Sequence, residues 1–186
     1  MLLKELLKEV EKKMDSTIEG TRHECAGIRT GRASIALVDG INVEAYGGKS
    51  PIRQLANIST PDARNLVIQP WDKGILKNVE KAILASDLGV TPSNDGNVIR
   101  LTLPQLTQER RQELAKQVKK LGEEGKVAIR NIRRHAIDEI KEGEKDGDIP
   151  EDEGKMTRDK IDKQVEEHSK KIDAVIHEKT EEIMKF

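Results

Sequence analysis

Residues 125–134 have the sequence Gly125-Lys126-Val127-Ala128-Ile129-Arg130-Asn131-Ile132-Arg133-Arg134. They lie within a segment, residues 105–149, that contains no proline. Apolar or small residues recur through this segment at spacings of three and four, which is the pattern of an amphipathic helix. The segment therefore predicts one long helix with an apolar stripe, formed by Leu114, Val118, Leu121, Gly125, Ala128 and Ile132.

The same helix carries a basic surface on another side. At 100° per residue, Lys126, Arg130, Arg133 and Arg134 occupy a sector of about 100°. A run of charged residues is most often a solvated face. Here no acidic residue lies within the run, Asn131 accompanies it, and three of the four cations are arginines. Because the planar arginine side chain matches phosphate, the stretch predicts a phosphate-binding surface.

The overall composition limits the class of protein. The chain has 186 residues, of which 36% are charged, 35% hydrophobic and only 2% aromatic, as is typical of long helices with narrow apolar seams. Its net charge is −1, so any binding to nucleic acid must be local. A single cysteine, Cys25, excludes an intrachain disulfide and a cysteine zinc site. With no membrane-length apolar run and no leader-like N-terminus, we expect a soluble, cytoplasmic protein.

Two more helices are predicted at the ends of the chain. Residues 2–29 show a heptad seam that ends before Gly31, and Pro150 opens a helix whose seam continues to Ile183. Neither helix can bury its seam alone, so both must pack with the central one. The seam residues are Leu3, Leu7, Val10, Met14, Thr17, Thr21, Cys25 and Ile28, then Ile161, Val165, His168, Ile172, Val175, Lys179 and Ile183.

The middle of the chain has a different pattern. Alternating or β-branched residues predict strands at 41–45, 65–69 and 98–103, and an amphipathic helix lies between the last two. Gly47-Gly48 and residues 94–96 supply turns. We expect Trp71 to help fill the core of this small α+β unit.

These elements predict an α+β protein in which a long three-helix bundle is interrupted by an inserted domain. Residues 1–30 and 105–186 form the bundle, and residues 31–104 form the inserted domain. The first helix should run antiparallel to the second. The chain crosses between the domains twice, which makes a natural hinge. The predicted hinge residues are Gly31, Ala33, Ser34, Thr102, Leu103 and Pro104.

The sequence offers little support for a catalytic site or a cofactor site. Gly47-Gly48-Lys49-Ser50 resembles the end of a phosphate-binding loop, but Val43 stands where that loop needs glycine, so a hairpin turn is the better interpretation. The four histidines include no pair at ligand spacing on one helical face with a carboxylate, and His168 lies in a seam, where packing is expected. We therefore predict no enzyme, metal site or cofactor.

Two alternatives remain open from the residues themselves. The basic surface suits an RNA-binding protein, whereas the seams also suit a module that only binds other helices; steep salt dependence would distinguish RNA binding. Arg29 and Arg32 should lie about 30 Å from residue 126 in an antiparallel bundle. The sequence leaves open whether the basic residues form two patches or one extended stripe.

Four motifs together resemble those of bacterial-type ribosome recycling factors. They are residues 125–134, Ile28-Arg29-Thr30-Gly31-Arg32-Ala33-Ser34, Ala85-Ser86-Asp87-Leu88-Gly89 and Leu106-Thr107-Gln108-Glu109-Arg110-Arg111, and the resemblance extends over the whole chain. It implies an L-shaped fold in which a three-helix bundle carries an inserted β/α/β domain. It also implies a monomer that binds large-subunit rRNA in the tRNA sites at the subunit interface of the post-termination ribosome. With elongation factor G and GTP, such a protein splits the subunits and releases the ribosome from mRNA.

The resemblance also assigns residues to rRNA binding. The R-T-G-R and R-N-x-R-R motifs of the family correspond to Arg29, Gly31, Arg32, Arg130, Asn131 and Arg133. Lys126 and Arg134 lie beside them and are included in the expected contact.

Overall fold

The computed structural model describes residues 3–185 and divides into two compact units. One unit comprises the chain up to Arg29 together with Gln108–Lys185, and the other comprises Thr30–Thr107. The first contains three long helices: α1 (Leu3–Ala26), α3 (Gln108–Lys145) and α4 (Glu151–Lys185). The second contains the shorter helix α2 (Leu76–Ala85) and all six strands. The α+β fold class expected from the sequence is confirmed.

Contacts between side chains fix the directions of the three long helices. Lys126 pairs with Asp173 and Arg133 with Asp162, so α3 and α4 run antiparallel. The Gln164 amide donates to the Leu7 carbonyl and His168 contacts Asp15, so α1 runs parallel to α4. The first helix is therefore antiparallel to the second, as predicted.

The buried seams differ in detail from the predicted ones. On α3, Leu121, Ala128 and Ile132 are only half-buried, and Gly122, Ile129 and Ala136 are buried instead. On α1, Leu3, Leu7 and Thr17 are half-buried, as is Ile28 just beyond its end, while Leu6 and Ile18 are buried. A helix of 3.6 residues per turn drifts away from a strict seven-residue repeat, and each helix faces two partners rather than one. On α4 the drift is smaller: only Val165 and Lys179 of the predicted seam are half-buried.

The inserted unit contains a hairpin and a four-stranded sheet, both antiparallel. Strands β1 (Asn42–Ala45) and β2 (Gly48–Pro51) form the hairpin. The sheet has the order β3-β4-β6-β5, with β3 at Ala56–Ser59, β4 at Asn65–Pro70, β5 at Ser93–Asn94 and β6 at Ile99–Thr102. The three predicted strands are β1, β4 and β6. Strands β2, β3 and β5 were missed because they are only two to four residues long.

The β1–β2 turn confirms the hairpin interpretation of Gly47-Gly48. Ala45 pairs with Gly48, which leaves Tyr46 and Gly47 as the two turn residues. Both have positive φ, 54° and 79°, as the tightest hairpin turns require. The phosphate-binding-loop alternative is therefore wrong.

Two large apolar residues of the inserted unit lie on its surface, including Trp71, which was expected in the core. Trp71 is 69% exposed and Leu84 is 60% exposed. Leu66, Ile68 and Pro70 alternate inward along β4, so the next position, Trp71, points outward. Leu84 lies one residue beyond the buried face of α2, which carries Val79 and Ile83. The core is instead filled by aliphatic side chains, including Val38, Val43, Ile52, Leu66, Ile68, Val79, Ile83, Ile99 and Leu101.

Candidate nucleic-acid interface

The contacts of Gly125 show which side of α3 faces the core of the bundle near the basic stretch. A Cβ atom at this position would lie 2.8 Å from Thr21 Oγ1 and 3.0 Å from Ile172 Cδ1. The glycine therefore faces both α1 and α4 at close range. Residues five and nine positions further along α3, Arg130 and Arg134, consequently lie on the side of the helix away from the core.

Arg130, Asn131 and Arg134 form the outward part of the predicted set. All three are exposed, and within residues 3–185 none of their side chains makes an ion pair or hydrogen bond. Val127 lies between them and is 47% exposed. This surface offers two arginine side chains whose donors are free to bind an external anion.

Lys126 and Arg133 lie at the edge of the same surface, where α3 meets α4. The Lys126 ammonium is 2.5 Å from Asp173 Oδ1, and Arg133 Nε donates to Asp162 Oδ1 at 2.6 Å. No acidic residue lies within the stretch itself, yet two of its four cations pair with acids from another helix. Sequence spacing along α3 could not show these partners, because they depend on how α3 and α4 are aligned.

Arg29 is offset along the bundle axis from the basic stretch of α3. Thr21 is level with Gly125, and Arg29 comes eight residues later on the antiparallel chain. Arg29 and Arg130 are therefore displaced in opposite directions, about 20 Å apart along the bundle axis. Arg29 belongs to the bundle unit, whereas Gly31, which is buried, and Arg32, which is exposed, belong to the inserted unit. By the same estimate Arg29 is about 13 Å from Lys126 along the axis, less than the roughly 30 Å expected from the sequence, because α3 extends past the end of α1.

Four of the predicted hinge residues are hydrogen-bonded inside the inserted unit. The Ala33 amide donates to the Ala63 carbonyl at 2.7 Å, and the Leu103 amide donates to the Arg64 carbonyl at 2.8 Å. The Thr102 hydroxyl donates to Asn65, and Ser34 accepts from the Ala36 amide as the cap of a short 3-10 helix. These bonds connect both chain crossings to the segment 63–65. Any hinge bending is therefore expected on the bundle side of these residues.

The described part of the chain offers no metal-binding cluster of three or more histidine, cysteine or acidic side chains. His168 is buried, with Nδ1 2.7 Å from the Gln164 carbonyl and Nε2 2.8 Å from Asp15 Oδ1, so it is a packed seam residue as predicted. Cys25 is also buried, and this burial raises the pKa of its thiol. No helix within residues 3–185 is long and apolar enough to cross a membrane.

Comparison with known proteins identifies the family. A family model described as ribosome recycling factor matches residues 21–184. The chain is 53% identical to the ribosome-recycling factor of Geobacillus kaustophilus, over 98% of this chain and 99% of that protein. It is 51% identical to that of Thermosynechococcus vestitus, over 96% and 98%.

Two solved structures agree with this assignment. A solution structure of the ribosome recycling factor covers all of both chains with 43% identity and a TM-score of 0.77. A second structure describes the Thermus thermophilus factor and Escherichia coli elongation factor G bound to the E. coli post-termination complex; its factor covers 98% of this chain and 99% of its own, with 45% identity and a TM-score of 0.64. The chain therefore belongs to the ribosome recycling factor family.

Proposed function

We propose that this protein binds the post-termination ribosome and, together with elongation factor G and GTP, splits the subunits and releases the ribosome from mRNA. The proposal is supported by family membership over nearly the whole chain. It is also supported by the T. thermophilus relative, which is described in a post-termination complex with elongation factor G. GTP hydrolysis in this proposal belongs to elongation factor G, and the present chain acts by binding.

The outward face of α3 is the proposed contact with large-subunit rRNA in the tRNA sites. The observation that carries this assignment is that Arg130 and Arg134 are exposed and uncommitted in a protein of net charge −1. Arginine can donate two parallel hydrogen bonds to one phosphate, and Asn131 adds an amide beside them. Lys126 and Arg133 extend the contact toward α4. Arg29 of the bundle unit, and Gly31 and Arg32 of the inserted unit, are further proposed rRNA contacts.

Binding to purified large subunits tests the contact. Replacing both Arg130 and Arg134 by alanine should weaken binding by about 1–3 kcal/mol for each lost charged hydrogen-bonding group. Replacing both by lysine should restore only part of the affinity, because lysine keeps the charge and loses the planar fork. The plot of log affinity against log salt should also become shallower for the double alanine variant. Sedimentation at several salt concentrations measures all three effects.

A matched control separates a specific contact from general charge. Lys8 and Lys12 are exposed on α1 with the same four-residue spacing and no ion pair in the described structure. The Lys8→Ala/Lys12→Ala variant should bind large subunits nearly as the parent does. Equal weakening by both double alanine variants would reject the α3 contact. Failure of the parent protein to split ribosomes with elongation factor G and GTP, followed by light scattering, would reject the proposed function itself.

A further inference from the structure

We propose that Asp162 of α4 is a positioning residue that orients Arg133 toward RNA. The inference rests on the proposed function, in which α3 contacts large-subunit rRNA. Asp162 would hold one edge of the Arg133 guanidinium group so that the other end faces outward before the ribosome is met. Asp162 itself would not touch the RNA.

The geometry of the pair supports this role. Arg133 donates to Asp162 through Nε, at 2.6 Å, and within residues 3–185 no hydrogen bond involves its two terminal nitrogens. A guanidinium group has five N–H donors, and four of them are on those terminal nitrogens. The end of the side chain that can bind a phosphate with two parallel bonds is therefore still available. The two side chains are 43% and 50% exposed, so the pair is open to an incoming ligand.

The neighbouring pair of Lys126 and Asp173 shows the contrast. The lysine has a single ammonium nitrogen, which lies 2.5 Å from the Asp173 carboxylate, and its side chain is only 27% exposed. A lysine has no second edge to present, because all its charge is at the atom that the carboxylate already contacts. The same arrangement of an α4 acid beside an α3 cation thus occupies Lys126 but leaves the phosphate-binding end of Arg133 unoccupied.

The pair is poorly suited to a purely stabilising role. Half-exposed ion pairs contribute little to folding, because water screens them and two long side chains lose freedom. The same loss of freedom favours binding when it is incurred before the partner arrives, since a side chain already in its bound orientation has less entropy to lose. A carboxylate near RNA also repels phosphate. The proposal therefore requires that the gain in binding from orienting Arg133 exceed the repulsion between Asp162 and phosphate.

A double-mutant cycle on large-subunit binding tests the proposal. The variants are Asp162→Ala, Asp162→Asn, Arg133→Ala and the Asp162→Ala/Arg133→Ala double variant. Asparagine removes the charge but keeps an oxygen that can accept from Arg133 Nε. Asp159 provides the matched control, because it is an exposed acid three residues earlier on α4 and has no ion pair in the described part of the chain. Asp159→Ala removes the same charge without touching Arg133.

The proposal predicts that Asp162→Ala weakens binding by about fivefold to tenfold and Asp162→Asn by about twofold, as expected for loss of an oriented charged contact. Asp159→Ala should bind as well as the parent or slightly better. In the Arg133→Ala background, Asp162→Ala should have no weakening effect. In the free protein, exchange of the Arg133 Nε–H proton with water, followed by NMR, should accelerate in Asp162→Ala.

Three outcomes would overturn the proposal. Binding by Asp162→Ala that equals or exceeds that of the parent would make Asp162 a repelling charge. An equal loss with and without Arg133 would mean that Asp162 acts through another group. Unchanged exchange of the Arg133 Nε–H proton would show that the pair does not restrain the side chain. If the parent shows no salt-sensitive binding to large subunits, the proposed function fails and the inference fails with it; the other outcomes leave the proposed function intact.

Discussion

His168 illustrates at the scale of one residue how a polar group is accommodated in the bundle. It is 2% exposed, and each ring nitrogen lies within 2.8 Å of an oxygen acceptor, one from Gln164 and one from Asp15. A buried polar side chain is costly without such partners. The contact with Asp15 also links α4 to α1, so the histidine helps to specify which residues of the two helices lie at the same level.

Cys25 provides a prediction about reactivity at the same scale. It is 2% exposed, and burial raises the pKa of its thiol, with the positive charge of Lys179 opposing the effect only in part. Because the thiolate is the reactive form, alkylation by iodoacetamide at pH 8 should be at least about tenfold slower in the folded protein than in urea. Mass spectrometry over a time course measures both rates.

The raised pKa of Cys25 also determines how pH changes the stability of the protein. The unfolded thiol ionises at a lower pH than the folded one, so the contribution of Cys25 to stability should decline as pH rises above the ordinary thiol pKa. A Cys25→Ala variant lacks this ionisation and serves as the control in urea unfolding at several pH values. Equal alkylation rates in the folded and unfolded protein would contradict the buried placement.

Residue types predicted burial better than they predicted partners. The seam positions of His168 and Cys25 were sufficient to expect that both side chains are packed. The acids that pair with Lys126 and Arg133 could not be predicted, because Asp173 and Asp162 lie 47 and 29 positions away along the chain. Such a partner is set by the alignment of two helices to within one turn. The heptad seams defined that alignment only approximately.

At the scale of the helix, the close approach of α1 and α4 limits the size of the side chains that α3 can carry. At Gly125, a Cβ atom would meet Thr21 of α1 and Ile172 of α4, and at Gly122 it would come within 2.6 Å of Ile176. Glycine lowers helix propensity, yet both glycines are buried in the middle of a helix of 38 residues. Close packing with α1 and α4 compensates for the unfavourable local propensity.

A pair of glycine-to-alanine substitutions tests this balance. Gly125→Ala should destabilise the protein by about 1–3 kcal/mol, since overpacking should exceed the gain in helix propensity. Gly20 lies in the interior of α1, is exposed, and has nothing within 4 Å of its Cβ position. Gly20→Ala should therefore stabilise the protein by about 0.5–1 kcal/mol. Urea unfolding of both variants measures the difference, and stabilisation by Gly125→Ala would show that the three helices separate easily at this level.

The elements themselves were predictable where their periodicity extends over several turns. All three long helices, α2 and the strands β1, β4 and β6 follow from spacing and from glycine and proline positions. The short strands β2, β3 and β5 did not, because two to four residues are too few to establish a period. Ala56 and Ile58 alternate with polar residues along β3, but over only four positions. The outward position of Trp71 was missed because its size suggested burial, whereas the alternation along β4 determines its side.

At the scale of the whole molecule, one chain builds two units from a discontinuous sequence. The helical unit is formed by the chain up to Arg29 together with Gln108–Lys185, because α1 packs against both α3 and α4. The inserted unit has its own core and its own hydrogen bonds at both crossings, through Ala33 and Leu103. Each unit therefore meets the physical requirement for folding separately, which allows the proposed ribosome binding and the proposed subunit splitting to be tested on different parts of the protein.

A shortened chain tests this division. Residues 1–29 would be joined to residues 108–186 by a flexible glycine linker. Ala26 is level with about residue 120, so the linker must reach roughly 18 Å along the axis to Gln108. About eight glycines, which extend to roughly 26 Å, suffice. We expect a cooperative helical bundle that binds large subunits within several-fold of the parent, because the α3 surface is unchanged. It should not split ribosomes with elongation factor G and GTP, because we propose that splitting requires the inserted unit.

Three measurements on one preparation separate the possible outcomes: circular dichroism, sedimentation with large subunits, and light scattering during splitting. A disordered shortened chain would show that the bundle needs the insert to fold. Normal splitting would show that the bundle alone performs the whole function. The inserted unit added as a separate polypeptide is the control, and we expect that it does not restore splitting, because it is then no longer joined to the bundle by the two covalent crossings. Restoration by the separate unit would mean that its role is to bind its own partner, and not to transmit a displacement to the bundle.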